Sequence, residues 1–287
     1  MNTQRPSVGE ILQTWRRRRR MSQMDLALDA GISTRHLSFV ETGRSRPSRE
    51  MVLHIAGHLD IPLREQNVLL LAAGFAPRFT ERSLDDPGLS AARRAVDMVL
   101  RVHEPYPALA VDRHWTLVAG NRMLPIFLKG IDEAMLEPPL NVVRLSLHPD
   151  GLARRIVNYR EWRAHMVARL HQQVEISADP VLLSLLDEVS QYPIPDEAED
   201  ASTEPGPDLG GVAIPIRLRS EQGILSAFST TTIFGTPLDV TLSELAIESF
   251  FPADATTASM LRSLAESFID AEPGVGEPDG SPFCIRR

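Results

Sequence analysis

Guanidinium groups are the most concentrated chemistry in this sequence. Arg16 to Arg20 run without a break, and residues 1–82 hold 13 arginines against 8 acids, a net of +5. The remainder holds 17 basic and 30 acidic side chains, a net of −13. That asymmetry sets a part suited to a polyanion beside a part that avoids one. Lys129 is the only lysine, so the number of arginines alone proves little. Other constellations carry less. His54 and His58 stand four apart, a spacing that can bind zinc on a helix, but no acid or third ligand accompanies them, and partly buried helix histidines are the plainer reading. His148-Pro149-Asp150 and the pair Glu161/His165 are acid–histidine neighbours of a kind common by chance. There is no glycine-rich phosphate loop, nucleophile elbow or zinc-ligand spacing. The expectation is therefore a protein that is not an enzyme and uses no metal or cofactor.

With 43% hydrophobic and 24% charged residues, 287 residues suffice for two folded domains. No apolar run approaches the roughly eighteen residues of a membrane span. The N-terminus is charged rather than signal-like, and Cys284 has no partner for a disulfide. Cytoplasmic placement without membrane association is expected.

The elements that would position the arginines are short helices. Val8, Ile11, Leu12 and Trp15 mark one face of a first helix, closed by the arginine run. Ser22 followed by Asp25 reads as the cap of a second, with Met24, Leu26, Ala27 and Ala30 on its buried side. Gly31 supplies a left-handed turn. Ser33 caps a third helix, Thr34 to Thr42, with Leu37 and Val40 inward, and Gly43 ends it. Pro47-Ser48 opens a fourth with Met51, Ile55 and Leu59 inward. A fifth runs from about Leu63 to Ala73. Five short helices with a glycine turn between the second and third form a helix-turn-helix bundle.

The string Ser22-Gln23, Leu26-Ala27, Gly31-Ile32-Ser33, followed by Glu41-Thr42-Gly43-Arg44 and Arg46-Pro47-Ser48, resembles the phage-repressor (XRE-type) helix-turn-helix family over roughly residues 7–76. The resemblance implies that the third helix enters the major groove of double-stranded DNA. Thr34, Arg35, Ser38 and Phe39 would then meet base edges, Arg35 gripping guanine with two bonds and Phe39 touching a thymine methyl. Gln23, Ser33, Arg44 and Arg46 would contact phosphates and hold register. It further implies a buried Arg16–Glu41 ion pair, leaving the other four arginines of the run as a solvated face.

Downstream, a polar stretch at 79–88 reads as a linker. A helix from about Ser90 to His103 precedes a short hairpin, Ala108–Asp112 and Trp115–Ala119, and a short helix near Met123–Leu128. Asp150–Leu170 and Pro180–Tyr192 look helical. Strands are expected at Val212–Leu218, Ile224–Ile233 and Leu238–Phe251, with a last helix at about Asp254–Ser267. Pro193–Gly211 reads as a flexible loop and the tail, 269–287, as disordered. Strand, strand, helices, then three antiparallel strands is the order of a PAS-like sensor. Asn141, Arg144, His148-Pro149, Trp162, His165, Leu170, Asp187-Glu188, Glu248 to Asp254 and the junction Leu69 to Pro77 are similar to those of MmyB-like transcription regulators, over roughly 103–268. That resemblance implies a pocket for an acyl chain or similar apolar ligand. Trp115, Phe127, Met135, Trp162, Met166, Phe228 and Phe250 are candidates for its lining, and Arg122, Arg144 or His165 for its polar group.

The chain is thus expected to be multi-domain: an all-α helix-turn-helix bundle (5–78), a linker (79–88), and an α+β PAS-like domain with an antiparallel sheet (89–268). The function expected is a transcription regulator binding a palindromic operator as a homodimer, modulated by a fatty acid or similar small apolar ligand. The alternative is a regulator whose C-terminal domain serves only dimerisation or partner binding.

Overall fold

The computed structural model describes residues 6–84, 86–195, 210–235 and 239–270. They group into two compact units, dividing between Arg82 and Ser83, with Glu175–Ala178 and the described residues Asp239–Ser243 grouping with the first.

The first unit contains α1 (Val8–Arg18), α2 (Gln23–Asp29), α3 (Thr34–Glu41), α4 (Arg49–His58) and α5 (Leu63–Ala72). Four of the five start on a serine whose side chain accepts an otherwise unpaired backbone N–H. At Ser7/Glu10 and Ser22/Asp25 the acid returns a bond to the cap N–H, a reciprocal arrangement. The helices surround Leu12, Trp15, Leu26, Leu37, Val40, Ile55, Leu59, Leu69 and Leu70, all buried. Gly9 sets how closely α1 meets α3: a Cβ there would lie 2.5 Å from the carbonyl oxygens of Val40 and Glu41. Also within this unit, the Val240 N–H donates to the Thr80 carbonyl at 2.8 Å.

The second unit contains α6 (Ser90–Val102), β1 (Ala108–Val111), β2 (Leu117–Gly120), α7 (Pro125–Leu128), α8 (Glu133–Leu136), α9 (Val142–Leu147), α10 (Tyr159–Ser177) and α11 (Pro180–Ser190). It continues with β3 (Ile216–Ser220), β4 (Gly223–Ile233), β5 (Ala246–Pro252) and α13 (Ala255–Asp270); the short helix α12 (Val240–Ser243) lies between β4 and β5 in sequence. The five strands form one antiparallel sheet in the order β2-β1-β5-β4-β3. β1 is buried throughout because it has a core on either side. Leu109 and Val111 enter the large cluster with residues of α9, α10 and α11, while Ala108 and Ala110 join Val96 and Leu100 of α6. Small side chains on that second face leave room for the helix. Buried Asn121 ties the pieces together: its Oδ1 accepts from the Ala108 and Met123 N–H groups, and its Nδ2 donates to the Leu100 and Tyr106 carbonyls.

Three expected boundaries shift. The helix expected over Asp150–Leu170 is broken: a 3-10 turn at Ala153–Arg155 comes first, and α10 starts at Tyr159. Between them the backbone leaves the helix to pair with β3: Ile156 bridges Leu218, and the Val157 N–H donates to the Arg217 carbonyl at 2.7 Å. The first expected strand of the trio begins at Ile216, after Pro215, and Val212 is exposed. The last is preceded by α12, because the Asp239 side chain accepts the Thr241 N–H and starts a helical turn. Most of the expected Pro193–Gly211 loop and the tail from Ala271 lie outside the described residues. No helix among the described residues is long and apolar enough to cross a membrane.

Candidate functional site

In the first unit, α3 exposes Thr34 and Arg35 to solvent, with Ser38 and Phe39 one turn on and half-buried. Leu37 and Val40 on the opposite side are completely buried, which fixes this orientation. Ser33 spends its hydroxyl oxygen on the His36 N–H at 3.1 Å, capping the helix. Arg35 and Arg44 flank the Phe39 ring, their guanidinium carbons 5.3 and 6.0 Å from its centroid. That cation–π packing keeps an aromatic side chain at the surface between two positive charges. Arg35, Arg44 and Arg46 are exposed and form no ion pair with another described residue. Gln23 is differently placed: its Nε2 donates to Glu41 Oε2 at 2.7 Å.

Glu41 is the fixed point beneath this surface. Arg16 donates to it twice, Nε to Oε1 at 2.7 Å and Nη2 to Oε2 at 2.9 Å, and Arg16 Nη1 also bonds the Met21 carbonyl. Burial would raise the Glu41 carboxyl above its ordinary value, but the bonds from Arg16 and Gln23 outweigh it and hold the group below. Arg19 is not part of a solvated face as expected. It donates to the carbonyls of Leu59 and Asp60, closing the C-terminal end of α4. His54 and His58 are also structural: one bonds the Ala30 carbonyl at 2.7 Å, the other pairs with Asp29 at 2.9 Å. Among the described residues no group of three or more His, Cys, Asp or Glu side chains is placed to hold a metal ion.

The second unit contains an apolar cavity of about 70 Å³ between the sheet and the helices α7, α9 and α10. Of the expected lining residues, Trp115, Phe127, Trp162, Met166 and Phe250 are in its wall. Phe127 and Phe250 meet edge to face, 5.1 Å apart. Trp115 is held at φ +65°, a left-handed conformation that is strained for a bulky residue. Asp112 Oδ1 secures that turn by accepting the N–H groups of His114 and Thr116, both at 2.8 Å. Met135 and Phe228 do not line the cavity; Phe228 stacks instead on Phe251.

None of the three expected polar groups lines the cavity either. Arg122 is turned outward against Glu104, and Arg144 grips Glu188 at 2.6 and 2.7 Å. His165 packs against Trp162, and burial lowers its pKa. The polar residues in the wall are Ser146, Arg169, Ser229 and Glu248. Helical spacing held a signal for one of them: Arg169 lies seven residues beyond Trp162 and three beyond Met166, on the same face. Glu248 alternates with Phe250 along β5 and so shares its side of the sheet.

A family model of MmyB-like transcription regulator ligand-binding domains matches residues 92–264, and a helix-turn-helix model matches 12–66. The chain belongs to the MmyB-like transcription regulators. Comparison with curated proteins gave no match. As a member of this family the chain is a DNA-binding transcription regulator with a ligand-binding domain.

Proposed function

We propose that this MmyB-like regulator reads a palindromic operator as a homodimer through α3, and that a small apolar, acyl-like ligand in the cavity changes its operator affinity. The observation carrying the DNA reading is the pair Arg35 and Phe39: exposed or half-buried on α3, backed by the buried Leu37 and Val40, and without a competing acid. Thr34, Arg35, Ser38 and Phe39 read bases; Ser33, Arg44 and Arg46 hold phosphates. Gln23 joins them with the one amide N–H that Glu41 leaves it. Half-sites then fall about one helical turn, ~34 Å, apart. The DNA-binding module spans 5–78 and the ligand-binding module 89–268, joined by 79–88.

The cavity supports the ligand reading through its wall of leucine, aromatic and methionine side chains. It is smaller than the roughly 150 Å³ that admits a benzene molecule. A chain-like ligand therefore has to displace wall side chains, and it shifts the regulator between states by preferring the displaced arrangement. Strand, strand, helices, then three antiparallel strands is also the order of a PAS-like sensor, and the regulator acts in the cytoplasm.

Selection from random duplexes tests the first half: an enriched motif with two-fold symmetry is expected, and no enrichment defeats it. Native mass spectrometry of protein purified from cells tests the second. A co-purifying small molecule that alters operator affinity is expected. An empty cavity, or equal affinity with and without the molecule, favours a domain that only dimerises.

A further inference from the structure

The charged groups on the cavity wall are Arg169 of α10 and Glu248 of β5, and they are engaged with each other. Arg169 Nη2 donates to Glu248 Oε1 at 2.8 Å and Nη1 reaches Oε2 at 3.4 Å. Thr231, paired with Glu248 across β4 and β5, donates its hydroxyl to the same Oε1 at 2.8 Å. The Trp115 ring covers the guanidinium, 4.7 Å from its carbon. The Glu248 side chain is only 4% exposed. The arrangement is a fixed, electrically neutral polar wall.

Resting on the reading of this cavity as the ligand site, we propose that its ligand ends in an uncharged hydrogen-bonding group, an alcohol or primary amide, rather than a free carboxylate. A carboxylate brought to Arg169 would share one guanidinium with Glu248, placing two negative charges side by side in a poorly solvated site. Expelling Glu248 instead would strand a buried charge. A hydroxyl or amide meets neither obstacle. It donates to Glu248 Oε2, whose contact with Arg169 is the longer of the two, and accepts from Arg169 or Ser229. Arg122 and Arg144, which would have favoured an acid, are paired elsewhere.

Ten-carbon probes that differ only in the terminal group test this: decan-1-ol, decanamide and decanoate, titrated calorimetrically into the full chain near neutral pH. The alcohol or the amide should bind at least about tenfold tighter than decanoate, since one like-charge contact is comparable to a unit or more of pKa. Glu248→Gln keeps the shape but removes the charge, so it should strengthen decanoate binding about tenfold and weaken decan-1-ol, whose hydroxyl loses its charged acceptor. Decanoate binding as tightly as the neutral probes, with no gain in Glu248→Gln, overturns the proposal while the cavity reading stands. Absence of binding by all three probes, or binding unaltered when Leu145→Trp fills the cavity in a variant with an unchanged circular-dichroism spectrum, overturns the cavity reading and the proposal with it.

Discussion

Arg16 and Glu41 are joined by two parallel hydrogen bonds inside the first unit, so α1 is locked to the last residue of α3. Base-reading side chains on α3 thus stand on a helix anchored from behind. Glu41→Ala removes one member and leaves a buried guanidinium without its carboxylate. The first unit should lose roughly 3–5 kcal/mol in urea unfolding. A loss below about 1 kcal/mol would show the pair to be solvated.

Arg35 and Arg44 flank one ring but should fail differently. Arg35→Ala should weaken a selected operator by roughly 1–3 kcal/mol and spare random duplex. Arg44→Ala should weaken both alike and lower the slope of log K against log salt by about 1. Fluorescence anisotropy across a salt series separates them, and exchanged outcomes would mean that α3 docks in another register.

Two glycines predict opposite signs. Gly9→Ala drives a methyl group into the Val40 and Glu41 carbonyls, and should cost about 1–3 kcal/mol as α1 is pushed from α3. Gly57, exposed within α4, has open space where a Cβ would go. Gly57→Ala should stabilise by roughly 0.5–1 kcal/mol through the unfolded chain's lost freedom. Thermal melts of both variants check the pair.

Acid should release the second unit in part through Glu188. The hydrogen bonds from Arg144 hold its carboxyl at about 2, against an ordinary 4.5. A depressed acid contributes stability that is present in full above its unfolded value and lost as pH falls through the folded one. Glu188→Gln should therefore lower the melting temperature at neutral pH, and the gap from the parent should hold to about 4.5 and close towards about 2. A gap unchanged down to that acid limit would contradict the assignment. Both side chains are more than a third exposed, so solvent keeps the effect small.

Much of the first unit was legible because its signals are local. A serine followed three residues later by an acid, or a glycine after an apolar stripe, acts on the backbone beside it, and α2, α3 and their turn lie where Ser22, Gly31 and Ser33 put them. Tertiary commitments were less readable. Gly9 looks like a helix-weakening residue until α3 is seen against it, and Arg19 looks like one of four equivalent solvated cations until its carbonyl partners at the C-terminal end of α4 appear. The cavity lining was half legible, since large apolar residues at helical spacing share a face whatever they enclose. Its polar wall was not: choosing Arg169 over Arg122 or Arg144 depends on which acid each one meets, and those acids lie 79, 18 and 44 residues away.

Trp115 and Trp162 both line the cavity, and the chain has three tryptophans. The third, Trp15, lies in the core of the first unit beneath Arg18 and Arg19. The molecule therefore carries a built-in optical gauge. Emission from two indoles in the cavity wall should respond when that space is filled, while the remaining indole belongs to the other unit, so a variant lacking Trp15 would report occupancy alone without any added dye.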